Sequence, residues 1–178
     1  MKRLLVLCRW VDALNERLAW LAAAAALAAC LISAGNAVVR YAFDLSSNAW
    51  LEIQWYLFAA TVMLGAPCVL RRNEHVRVDI LYTRLGPRGA AWLDLLGLLL
   101  FLLPVMILLA ALSWPVFARA WVSGEVSSNA GGLVRWPALL LLPLGFALVA
   151  LQGLAECVRR VAALRGLAAA QAYEKPLQ

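Results

Sequence analysis

Residues 18–39 read LAWLAAAAALAACLISAGNAVV, with no charged residue between Arg17 and Arg40. A helix needs about 20 apolar residues to cross roughly 30 Å of hydrocarbon, and this stretch is long enough. It shows no period-two alternation, so it reads as a helix and not as a barrel strand. Three further runs, 50–70, 90–117 and 136–158, have the same character. In lipid each backbone polar group must be satisfied internally, which a helix does by itself. The expected fold is therefore all-α and integral to a membrane, with four transmembrane helices in one domain covering 1–178. The first run exceeds the 7–15 apolar residues of a typical signal peptide and lacks a clear cleavage site, so a retained helix is expected.

Composition agrees. Hydrophobic residues make up 65% of the chain and charged residues 15%, against about 45–50% apolar in average soluble domains. A soluble fold of this size would expose apolar patches well beyond what monomers tolerate. The net charge of +6 is arranged as flanks to apolar runs. It forms no basic stripe of the kind that binds nucleic acid, and no nucleic-acid partner is expected. The charges read instead as topology signals and contacts to membrane lipids.

Orientation follows from those flanks. Lys2, Arg3, Arg9 and Arg17 precede the first span. Arg71, Arg72, Arg77, Arg84 and Arg88 lie between the second and third, and Arg159, Arg160, Arg165 and Lys175 follow the fourth. The other three of the 16 basic residues are Arg40, Arg119 and Arg135. The positive-inside rule makes the topology N-in/C-in. The connection 71–89 and the tail 159–178 are then cytoplasmic, and the loop 118–135 is periplasmic. Tryptophans near the span ends fit interfacial belts.

Two short elements are expected on the inner surface. In 1–17, Leu4, Cys8, Val11, Leu14 and Leu18 recur at helical spacing with Arg3, Arg9, Asp12 and Glu16 between them, which predicts an interfacial amphipathic helix. A plain extension of the first span is the alternative. Residues 79–87, DILYTRLGP, predict a short amphipathic element with Asp79 as N-cap and Gly86-Pro87 as its stop. Pro104 and Pro143 predict bends inside the third and fourth spans. The four cysteines, Cys8, Cys30, Cys68 and Cys157, form no CxxC pair and read as small buried hydrophobes. Ser-Ser-Asn-Ala occurs at 46–49 and again at 127–130, but outer loops favour such residues anyway.

Chemistry is scarce along the chain. The span centres read AAAALAACLI, LFAATVMLG, LLLFLLPVMILLA and LLPLGFALVAL, none with a charge. Pumps and transporters keep ionisable residues at that depth. Glu52, Asp94 and Glu156 sit near span ends. The one histidine, His75, cannot supply paired haem ligands on membrane helices. No catalytic residue, metal site or cofactor of this chain's own is expected. Small residues on the first span, Ala22 to Ala26, Ala28, Ala29, Ala34 and Gly35, allow close helix approach, either within the bundle or against a partner.

Two motifs frame the second span. Residues 50–56 read WLEIQWY, and residues 71–79 read RRNEHVRVD. Together they resemble the small membrane subunit of tripartite ATP-independent periplasmic (TRAP) transporters, the DctQ type, over about 11–160. The resemblance implies a multi-pass protein of the bacterial inner membrane. It also implies a large membrane subunit that carries the substrate and sodium sites, and a periplasmic substrate-binding protein that delivers an organic acid. The small subunit then acts as a brace. Partner contacts fall on Glu52, Gln54, Trp55, Arg72, His75, Arg77 and Asp79. Periplasmic docking falls on Ser46, Ser47, Asn48, Arg119, Ser128, Asn129 and Arg135. An ion pair between Glu52 and Arg40, and a cap role for Asp79, are the plainer alternatives. Two other functions stay open on the residues alone: a membrane anchor for a redox enzyme, and a self-sufficient small exporter.

Overall fold

A computed structural model describes residues 1–45, 47–73 and 85–167. Ser46 and the stretch 74–84, with His75, Arg77, Asp79 and most of the expected inner element, lie outside the described residues. Four helices are long and apolar enough to cross a membrane: α1 (Lys2–Phe43), α2 (Asn48–Arg72), α3 (Pro87–Ser123) and α4 (Trp136–Leu164). Consecutive helices run antiparallel. The short link after Phe43 and the loop after Ser123 share one end of the bundle, called the loop end. The start of α1 and the finish of α4 share the other, the terminal end.

α1 is one continuous helix of 42 residues, roughly 63 Å at 1.5 Å per residue. A separate interfacial helix at 1–17 is thus replaced by an extension of the first span. Nothing in the stretch breaks a helix, since the first glycine is Gly35 and no proline occurs. Its facing also differs from the expectation. Cys8, Asn15, Ala22 and Ala29 are buried, one residue every two turns. Leu4, Leu7, Trp10 and Leu14 are exposed. Asp12, Asn15 and Glu16 turn toward the bundle, while Leu4 and Leu14 turn outward and Cys8 stays inside. That is the sensible sense of amphipathicity where the surroundings are lipid and polar groups need partners. Ala22 faces α2, its Cβ 3.7 Å from the position of a Cβ on Gly65. Ala23 and Ala24 face outward.

α4 is the central helix. It touches all three others, and 39% of its most apolar window is buried against 11% in the others. Two glycines let it pack closely. A Cβ on Gly145 would stand 2.6 Å from Met63 Cβ, and one on Gly153 would stand 2.7 Å from Leu102 Cδ2. Backbone approach of this kind is how membrane helices gain van der Waals contact without a hydrophobic drive between them. Leu95, Leu103, Ala150 and Cys157 form the apolar centre between α3 and α4. Three cysteines are buried as expected, but Cys30 is exposed on the outer side of α1.

Pro104 acts on the turn before it. Residues Leu98–Leu102 form a π-helical segment inside α3. Proline has no N–H and its ring crowds the carbonyl four residues back. Widening that turn removes the clash, and one-turn π segments are the usual form. Pro143 lies within α4, which continues through it.

Candidate functional site

Polar side chains gather at the two ends of the bundle. At the loop end, residues 124–135 fold back on themselves. Val126 and Val134 form an antiparallel bridge, with Ser127 N–H donating to Leu133 O at 2.9 Å and Arg135 N–H to Glu125 O at 2.9 Å. The first turns of α2 hold this loop with residues spaced four apart, which share one helix face. Asn48 Nδ2 donates to Ala130 O at 3.1 Å. Glu52 accepts from Asn129 Nδ2 at 2.8 Å and from Leu133 N–H at 2.7 Å. Tyr56 donates its hydroxyl to Val134 O at 3.0 Å.

Glu52 is therefore buried beneath the protein's own loop. It pairs with loop donors and not with Arg40, and its carboxylate is engaged internally. Trp55, one step round the helix, is exposed. Gln54 is half-buried, and its Nε2 finds no hydrogen-bond partner among the described residues. Arg135 pairs with Glu125. Ser47, Asn48, Arg119, Ser128 and Asn129 are exposed at this end. Glu52, Trp55, Tyr56, Ser127, Ser128 and Arg135 line a concavity of about 380 Å³ under the loop. Aromatic rings pack together on α3 and at the start of α4: Trp121 meets Trp136 edge-on at 4.6 Å, and Phe117 lies 5.4 Å from Trp114.

The terminal end is built differently. Asn15 and Gln152 are fully buried, and Asn15 Nδ2 donates to Gln152 Oε1 at 2.7 Å. Gln152 Nε2 donates to Glu156 Oε1 at 3.1 Å and to Asp12 Oδ1 at 3.3 Å. Arg159 holds Asp12 through two contacts of 2.5 and 2.6 Å and also bonds Glu156. Arg160 pairs with Asp94 on α3 at 2.9 Å. Glu16 ties α1 to α2 by accepting from Arg71 and from Arg72 at 2.9 Å. Arg72, expected to meet a partner, thus has a partner within the chain, although half of its side chain stays exposed.

This network joins all four helices at the level where α2 ends. The sequence placed Asp12 and Glu16 on the polar side of an interfacial helix, gave Arg159 and Arg160 a role only as topology signals, and gave Asn15 none. The available signal was the spacing. Asp12, Asn15 and Glu16 share one face of α1, and Gln152, Glu156 and Arg159 share one face of α4. In a membrane helix such a face needs partners.

A family model described as tripartite ATP-independent periplasmic transporters, DctQ component, matches residues 29–163. The chain is also similar to a Haemophilus influenzae protein provisionally named a TRAP transporter small permease protein, at 30% identity over 94 residues. That alignment covers 53% of each chain, so this chain spans about half the length of the curated relative it matches. No solved structure matches it.

Proposed function

The chain belongs to the DctQ component family of TRAP transporters, and from that premise we propose that it braces a large membrane subunit which does the transporting. The observation that carries this reading is the location of charge. The span centres are apolar, and the polar clusters sit at the two ends, where a wall is fastened and where partners are met. A pathway for ions or acids keeps ionisable groups at mid-membrane depth, and the described span centres carry no charged residue.

In this reading both termini are cytoplasmic, following the basic flanks, and the membrane is the bacterial inner membrane. The loop end then faces the periplasm. Its exposed Ser47, Asn48, Arg119, Ser128 and Asn129 contribute to the surface that meets the substrate-binding protein. Glu52 serves that surface indirectly, by fixing the loop's shape. Sodium and the organic acid bind the large partner, and this chain needs no cofactor.

The test is assembly. The chain, tagged and expressed with its neighbouring membrane gene, is expected to co-purify with a protein of many more helices in fixed ratio. A fully active, monodisperse chain isolated without such a partner would sink the reading. Thermal-shift screening of the neighbouring periplasmic protein against a panel of carboxylates then identifies the substrate.

A further inference from the structure

A groove of about 480 Å³ runs along α3 at the terminal end, between α2, α3 and α4. Its two ends differ in chemistry. Asp94, Glu156 and Arg160 line one end, and Leu98, Phe101, Leu102, Val105 and Met106 line the other. The polar end lies level with the finish of α2, and the apolar end points toward the middle of the spans. Asp94 and Met106 stand twelve positions apart on α3, about 18 Å at 1.5 Å per residue. One leaflet is about half of the roughly 30 Å hydrocarbon thickness, so the groove is about one leaflet deep.

A second observation points to a ligand. Glu156 is 3% exposed. Its Oε1 takes Arg159 and Gln152, while its buried Oε2 has no hydrogen-bond partner among the described residues. A buried acceptor left unmade is costly, and a cationic donor is what it best accepts. The polar end thus sets the unpartnered Glu156 oxygen beside the Asp94–Arg160 ion pair, an arrangement suited to a group that carries both signs.

We propose that this groove binds one phospholipid whose headgroup carries a primary ammonium. The ammonium meets the carboxylates of Glu156 and Asp94, the phosphate lies toward Arg160, and an acyl chain follows Leu98, Phe101 and Met106. The volume falls within the roughly 300–1,000 Å³ of small-molecule sites.

Gly97 provides the test, because it lines the groove and a Cβ there meets nothing within 4 Å. The full chain is exchanged into detergent holding equal amounts of phosphatidylethanolamine and phosphatidylglycerol, then examined by native mass spectrometry. One phosphatidylethanolamine is expected to stay bound, preferred by about tenfold or more, the order set by one charge-assisted hydrogen bond. Gly97→Trp should lose that lipid while keeping its helical circular dichroism. Glu156→Gln should keep a lipid but lose the preference. Equal retention of both lipids by the unaltered chain, or retention by Gly97→Trp, would overturn the proposal. So would a Gly97→Trp chain that keeps its lipid count but no longer binds the large subunit, which would assign the groove to a protein partner.

Discussion

The two ends of the bundle solve the problem of a buried carboxylate in opposite ways. At the loop end Glu52 is met by neutral donors, a side-chain amide and a backbone N–H, both supplied by a surface loop. At the terminal end Asp12, Glu16 and Asp94 are met by arginines on neighbouring helices, and Glu156 by Arg159 of its own helix. The first arrangement shapes a loop, and the second ties helices together. Damage at one end should therefore stay local, and damage at the other should spread.

The largest effect is expected from Arg159→Ala, which leaves Asp12 and Glu156 without their shared cation. Removing one partner of a buried ion pair costs about 3–5 kcal/mol, and the one-fifth exposure of Arg159 points to the lower part of that range. Unfolding of the purified chain in mixed micelles should show the loss as a lower Tm.

Asn15→Leu with Gln152→Leu sharpens the same point. In a double-mutant cycle their coupling should be about 0.6–1.7 kcal/mol, from the average to the maximum for polar contacts between membrane helices. A coupling near zero would mean that the helices are held by packing alone.

Glu52→Gln tests the other end. Hydrogen exchange should rise across 125–135, above all at the Leu133 amide, while the global Tm stays nearly unchanged. A global loss comparable with that of Arg159→Ala would break the contrast between the ends. Arg135→Ala should have the smallest effect. Its pair with Glu125 is about half exposed, such pairs contribute about 0–1 kcal/mol, and added salt should erase the difference.

Much of the fold was legible in the chain. Span length and hydropathy located four helices, and the expected second span, 50–70, lies within Asn48–Arg72. The facing of α1 was not legible under a rule made for water. Its period was read correctly, but Leu4 and Leu14 turn outward toward lipid while Asp12, Asn15 and Glu16 turn in. Pro104 was expected to bend α3, and a π-helical segment accommodates it. Glu52 stood out by its place at the head of a span. Its partners did not, because the Leu133 N–H becomes a donor only once the loop has folded back. His75, Arg77 and Asp79 lie outside the described residues and keep only their resemblance-based expectation.

The central claim is that this chain supports transport without conducting it. Proteoliposomes holding the chain alone, the chain with its large subunit, and both with the loaded periplasmic protein should be compared under an imposed sodium gradient. Uptake of the bound acid is expected only in the last. Substrate flux through the small chain alone would contradict the account.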